Sequence, residues 1–129
     1  MFAVNVVTPE SKSRSFNSDL LNIVTPQGNM GILSNHMPIV TMINISIMTN
    51  VIDGKRERYS ISGGVLFFKN NEATLMADSI EYEGDIDVER AQRAKQRAEE
   101  LLKSKDPNID QKRAELALRK ALNRLSVGQ

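Results

Sequence analysis

Hydrophobic periodicity changes once along this chain, near Asp85, and that change limits the folds open to it. From Asp85 to Leu125 apolar residues recur every three or four positions. Ala91, Ala94, Ala98, Leu101 and Leu102 form one stripe; Ala114, Ala117, Leu118, Ala121, Leu122 and Leu125 form another. That period is helical. Pro107 and Asn108 interrupt it, Pro being suited to a helix's first turn and Asp/Asn to its cap. Two helices joined by a short turn are expected to fold back antiparallel. Their facing residues are small, so the seam buries little apolar area and the hairpin is held weakly.

Before Asp85 the signals are those of strands. Phe2, Val4 and Val6 alternate with their neighbours up to Thr8-Pro9. Ser11 to Asn17 reads as a polar edge strand, and Leu20 to Val24 as a short apolar one closed by Pro26 and Gly28. The segment around Gly31, Asn35 and Pro38 reads as a turn-rich crossing with one short strand at most. Met42 to Val51 is a strand, and Asp53-Gly54 is a hairpin turn. Arg56 to Ile61 and Val65 to Lys69 are strands separated by Ser62-Gly63-Gly64. Asn70-Asn71 turns the chain into Ala73 to Ala77, the last strand expected. Short strands with turn residues between them indicate an all-β sandwich or barrel. The predicted architecture is α+β: an N-terminal β-sandwich or flattened barrel over residues 1–84, then a helix-turn-helix hairpin over 85–129.

Composition narrows the function classes. The chain has 129 residues, 40% hydrophobic and 26% charged, with no Cys and one His. Without Cys there are no disulfides, thiolate metal sites or Cys nucleophiles. The N-terminus lacks the basic flank and apolar stretch of a signal peptide. No apolar run approaches the ~18 residues of a membrane helix, so membrane association is expected through partners alone. Charge is uneven along the chain. Residues 1–86 carry six Lys/Arg against nine Asp/Glu, whereas residues 87–129 carry eleven against seven. The charge changes where the period changes.

Few residues suggest chemistry. His36 lies in a turn-rich segment and has no Cys with which to build an ordinary transition-metal site, so a structural role is expected. Gly63-Gly64 is not a phosphate loop, because no Lys-Ser/Thr leads into a helix; a bulge, or close approach of another chain, explains it better. The acidic set Glu81, Glu83, Asp85 and Asp87 lacks the spacing of a calcium loop. It reads as a solvated linker with Asp85 or Asp87 as helix cap. No nucleophile, base and orienting group can be assembled, so no enzyme is expected. The arginines are more informative. Arg90, Arg93 and Arg97 recur at helical spacing, as do Arg113, Lys120 and Arg124, with Arg119 nearby. They are either a solvated face or, in a folded hairpin that brings Arg90 near Arg124, a site for a polyanion such as a triphosphate. Near-neutral charge and the absence of interleaved aromatics argue against nucleic acid.

With these segments in hand, the sequence resembles the epsilon subunit of bacterial F-type ATP synthase over essentially its whole length. VNVVTPE is similar to the family's first strand. Gly31-Ile32-Leu33, His36 and Pro38 match its GILxxHxP segment. Ser62-Gly63-Gly64 before the FF strand matches its SGG signature. Asn71 with the ATLMAD strand matches the end of its sandwich, and KRAELALRKALNRL looks like its second helix. The resemblance implies a non-catalytic rotor subunit of the central stalk, at the cytoplasmic face of the plasma membrane. The sandwich would bind the gamma subunit and the c-ring. The subunit would couple proton transport to ATP synthesis and restrain hydrolysis. The hairpin would extend along gamma and meet the alpha and beta catalytic subunits, using Lys112, Arg113, Arg119, Lys120 and Arg124; His36 is a further partner-contact candidate.

Some family members bind ATP in the folded hairpin through an I/L-D-x-x-R-A motif. Ile86, Asp87, Arg90 and Ala91 match it, and Glu81 and Arg97 are similar to further contacts. Arg124 matches a family Arg, and Lys120 stands where an Arg is common. The resemblance thus implies ATP as a regulatory ligand, with no cofactor required. The alternative reading is a β-sandwich adaptor whose hairpin docks a protein partner.

Overall fold

The structure is a computed structural model and describes residues 1–9 and 14–128. It divides into two compact units, Met1–Glu83 and Gly84–Gln129.

The first unit is built from eight strands: β1 (Phe2–Val7), β2 (Arg14–Ser18), β3 (Leu20–Thr25), β4 (Gly28–Leu33), β5 (Ile39–Ile52), β6 (Lys55–Lys69), β7 (Glu72–Ala77) and β8 (Ile80–Tyr82). They hydrogen-bond in the order β2-β1-β7-β6-β5-β3-β4, with β8 on β6. Every described pairing is antiparallel except β1 with β7. In this order β2 lies at one end and β3 near the other, yet only Asp19 separates them in sequence. The sheet must therefore roll until its ends meet. The Asp19 N–H donates to the Val51 carbonyl at 2.8 Å and the Asn50 side chain to the Asn17 carbonyl at 3.2 Å, which fixes that junction. The result is a flattened β-sandwich around one core.

Alternation builds the core, as it must where one face of each strand is buried. Phe2, Val4 and Val6 point inward from β1, Leu21 and Ile23 from β3, and Ala73 and Leu75 from β7. Phe68 from β6 meets Phe2 edge-on, with ring centroids 5.4 Å apart. Two of the three two-residue hairpins among the described residues have positive φ at each central residue: Asp53 at 51° and Gly54 at 75°, Asn70 at 54° and Asn71 at 57°. That is the backbone a tight right-twisting hairpin requires, and Asn, Asp and Gly tolerate it best.

Three expectations from sequence need correction. Ser62-Gly63-Gly64 does not separate two strands; β6 runs unbroken through it. At that point β6 changes one neighbour, pairing with β8 before Gly63 and β7 after it. Gly63 has φ of 91°, and a side chain on Gly64 would collide with the Met76 carbonyl and come within 2.9 Å of the Ala77 Cα. Both glycines thus serve a bend and a close approach of backbones. The second correction is β8, a strand too short and too acidic (Ile80-Glu81-Tyr82) to show a period. The third is the extent of β5, which starts at Ile39. Arg14–Ser18 is an edge strand, whereas residues 11–13 of the expected strand lie outside the described residues.

The second unit is a helical hairpin. A 3₁₀ turn (Glu83–Asp85) precedes α1 (Val88–Lys103), and α2 (Gln111–Gly128) follows a turn over residues 104–110. That turn holds itself together: Asp106 N–H donates to Ser104 Oγ at 3.2 Å and Asn108 N–H to Asp106 Oδ1 at 2.9 Å. Pro107 lies within it rather than in the first turn of α2, whose cap is Asp110. Among the described residues no helix is long and apolar enough to cross a membrane.

Candidate functional site: an arginine-lined groove

Small residues set the geometry of the hairpin. The buried residues of α1 are Ala91 and Ala98; those of α2 include Ala114 and Ala121. Each pair is seven residues apart, close to two helical turns, so each pair lies on one face. The C-terminal end of α2 comes against the approach to α1. A Cβ on Gly128 would lie 3.0 Å from Ile86 Cγ2 and 3.2 Å from Val88 Cγ2. The start of one helix therefore adjoins the end of the other, which is where sequence spacing placed Arg90 and Arg124.

A groove of about 1010 Å³ opens between the helices. Arg90, Arg93 and Arg97 line it from α1 and Arg113 and Arg124 from α2, over a floor that includes Ala94, Ala98, Ala114 and Ala117. Asp110 is the one carboxylate on its wall among the described residues. Among the described residues the guanidinium groups of Arg90, Arg93, Arg97 and Arg113 make no ion pair or side-chain hydrogen bond. Arg90, Arg93, Arg97 and Arg113 are exposed, so water and salt screen the repulsion among these cations without removing it. A polyanion would relieve it, with guanidinium forks matched to phosphate oxygens.

The residues matched to the ATP motif separate into different roles. Arg90, Arg97 and Arg124 line the groove. Asp87 caps α1: its Oδ1 accepts a hydrogen bond from the Arg90 N–H at 3.1 Å. Ala91 is fully buried, and Ile86 packs toward Gly128. Lys120 is half-buried and does not line the groove. Glu81 belongs to the other unit, on β8 opposite Ser60. Of the partner-contact candidates, Lys112 and Arg119 are exposed, but Arg113 lines the groove. Arg93 joins it too; its i, i+3, i+7 relation to Arg90 and Arg97 was the signal that could have placed it there.

His36 occupies a different setting. Its Nδ1 lies 2.7 Å from the Met37 carbonyl, which accepts the ring N–H, and its ring meets Phe68 edge-on at 5.9 Å. This imidazole braces a turn. Around it the sandwich exposes apolar surface: Leu33 and Met37 near the turn, and Val7, Val40, Met42, Phe67 and Met76 on its strands. Strand register joins the latter. Met42 pairs with Val65, Val65 with Met76, Met76 with Val7, and Val40 with Phe67. These residues form one outward apolar face, larger than scattered surface residues produce.

Comparison with known proteins agrees with this division. Residues 1–83 match the family model for the ATP synthase delta/epsilon chain β-sandwich domain, and residues 85–129 match that for its long α-helix domain. The ATP synthase epsilon chain of Halalkalibacterium halodurans is 41% identical over 96% of this chain and 94% of its own length. That of Desulforamulus reducens is 40% identical over 98% and 96%. Among solved structures, a chain of the Euglena gracilis mitochondrial ATP synthase aligns with a TM-score of 0.78 at 21% identity, covering 98% of this chain and 80% of that one. One from the Tetrahymena thermophila mitochondrial enzyme gives 0.64 at 10% identity, covering 99% and 96%; at these identities both speak for the fold alone. Matches across both units and close to 40% identity along nearly the full length leave one conclusion: the chain belongs to the delta/epsilon chain family of ATP synthase, as an epsilon-type, non-catalytic subunit.

Proposed function

We propose that this chain is the central-stalk epsilon subunit of a bacterial proton-translocating ATP synthase, and that its hairpin is an ATP-sensitive brake on hydrolysis. The carrying observation is the groove lined by five arginines, of which Arg90, Arg93, Arg97 and Arg113 make no ion pair among the described residues. A ligand that binds only the closed hairpin stabilises it by RT ln(1 + [L]/Kd). At ten times Kd this is about 1.4 kcal/mol, a tenfold shift in population. A hairpin with an alanine seam is the kind of element that such an amount redistributes. Abundant ATP keeps it closed. Scarce ATP releases it to extend along the gamma subunit, where the cationic α2 meets the alpha and beta subunits.

The sandwich supplies the attachment. Its apolar face around Met42 and Met76 suits the gamma subunit, and the exposed turn from Leu33 to Met37 suits the c-ring. The Tetrahymena neighbour was solved in a central stalk/c-ring assembly. Through these partners the chain sits at the cytoplasmic face of the plasma membrane and couples proton flow to ATP synthesis. ATP titrated into the full chain should bind saturably, and Arg90→Ala should abolish most of that binding. No binding at millimolar ATP sinks the brake reading. Co-purification with a gamma subunit, lost on Met42→Glu/Met76→Glu, tests the stalk reading against that of an adaptor outside the rotor.

A further inference from the structure

Inside the sandwich, Ser18 Oγ and Asn50 Oδ1 have no hydrogen-bond partner among the described residues, and both side chains are fully buried. The chain brings them to one corner. The Asn50 side-chain N–H donates to the Asn17 carbonyl at 3.2 Å, and the Asp19 N–H donates to the Val51 carbonyl at 2.8 Å. Ser18 is thus bracketed on both sides by bonds to two consecutive residues of β5. The Asn17 bond also fixes the Asn50 amide. Turned over, the amide would set its oxygen against the Asn17 carbonyl oxygen, acceptor against acceptor. Its Oδ1 therefore remains an acceptor in need of a donor. Ser18 Oγ has a proton to give, but the two oxygens do not bond each other. Phe2 pairs with Ser18 and Leu21 with Asn50; both are buried, and their side chains offer no hydrogen-bonding group.

We infer that this corner is a binding site for one internal water molecule, which donates to Asn50 Oδ1 and accepts the Ser18 hydroxyl proton. A buried polar group left without a partner is costly, and two such groups beyond direct bonding distance are the setting in which a water bridges. Two O–H···O bonds placed end to end span about 5.5 Å. Internal waters satisfy otherwise orphaned groups in this way and form part of the structure. The site is independent of the arginine groove and of the outward apolar face. It ties β2 to β5 across the single-residue link at Asp19, beside the bonds to the Asn17 and Val51 carbonyls. The bound water can leave only when the corner opens, so its residence time reports how often the two ends of the sheet part.

Ser18→Ala tests the site by the sign of its effect. Removing an unsatisfied hydroxyl raises stability, whereas removing one that bonds a water strands both the water and Asn50 Oδ1 and lowers it. The urea midpoint of the full chain should therefore fall, with the slope unchanged. A midpoint that rises, or stays within error of the wild type, overturns the proposal. In an Asn50→Ala background the bridge is already lost, so Ser18→Ala should bring little further fall; an undiminished fall overturns a shared bridge. Oxygen-17 relaxation dispersion of the solvent counts long-lived internal waters and is blind to exchanging hydroxyl protons. Its amplitude should drop by one water molecule from the wild type to Ser18→Ala. Equal amplitudes in the two chains, or no long-lived water in the wild type, overturns the site whatever the stability of the variants.

Discussion

The Asp87 carboxylate holds the backbone N–H of Arg90 at 3.1 Å, so the first residue of the arginine set is anchored through the cap of its own helix. Asp87→Ala is expected to cost α1 about 1 kcal/mol through the lost cap. Asp87→Asn keeps the cap, since Asn ranks with Asp there. Comparing helix content and ATP affinity in the two variants separates the roles. If Asp87 acts by capping, Asp87→Asn matches the wild type in both; a loss of ATP affinity in Asp87→Asn with helicity unchanged assigns the carboxylate a ligand contact.

Ala91 is fully buried on α1. Enlarging it to Leu should overpack its site and destabilise the closed hairpin by about 1–3 kcal/mol. Apparent ATP affinity then falls without any change to the arginines. Circular dichroism melting with and without ATP reads both effects; an unchanged melt and unchanged affinity contradict a tight alanine seam.

Within the arginine set, groove position should rank the losses. Arg124→Ala removes charge-assisted contacts worth about 1.5–3 kcal/mol, roughly tenfold or more in affinity. Lys120→Ala, lying outside the groove, should cost clearly less. Equal losses would mean that Lys120 reaches the ligand after all.

Gly64→Ala sets a Cβ into the Met76 carbonyl across the β6–β7 pairing. Backbone cannot yield as a side-chain tip can, so the sandwich should lose at least ~2 kcal/mol. Urea unfolding measures this, and a midpoint within error of the wild type rules out the close approach.

Tyr59 gives the sandwich a pH response. Burial is the main cause raising its phenol to about 12, and the Glu57 carboxylate adds to it by charge and by accepting the hydroxyl proton at 3.2 Å. Unfolded, the phenol ionises near 10.0. Below that pH both states are protonated and the native hydroxyl contributes fully. Between pH 10.0 and about 12 only the unfolded state loses its proton, so stability falls as pH rises. Tyr59→Phe should flatten that fall in thermal melts across the window; an identical slope in the variant excludes Tyr59 as its source.

Sequence pattern located most of this fold where period and turn chemistry act locally. The Asp53-Gly54 and Asn70-Asn71 hairpins were legible because positive φ favours those residue types. The inward row Phe2, Val4 and Val6 was legible from alternation. β8 was not, because three residues with Glu81 in the middle carry no period and pair only through tertiary placement. Continuity of β6 was also hidden: two adjacent glycines read as a break unless the close approach of Met76 is known. In the hairpin, spacing put Arg90 near Arg124 correctly. The cap at Asp87 was legible as one of two candidates. Spacing could not tell that Arg113 would line the groove while Lys120 stayed out, since residues near one another on a helical wheel still differ in side-chain direction.

The single-residue link at Asp19 has a mechanical consequence. It joins strands at nearly opposite ends of the hydrogen-bonded order, with no loop between them to stretch. Sliding one layer past the other would break ladder bonds in both at once. A twisting load applied to one face of the sandwich is therefore passed to the other with little strain, as through a keyed shaft. The compliance of the chain is left to its helical hairpin.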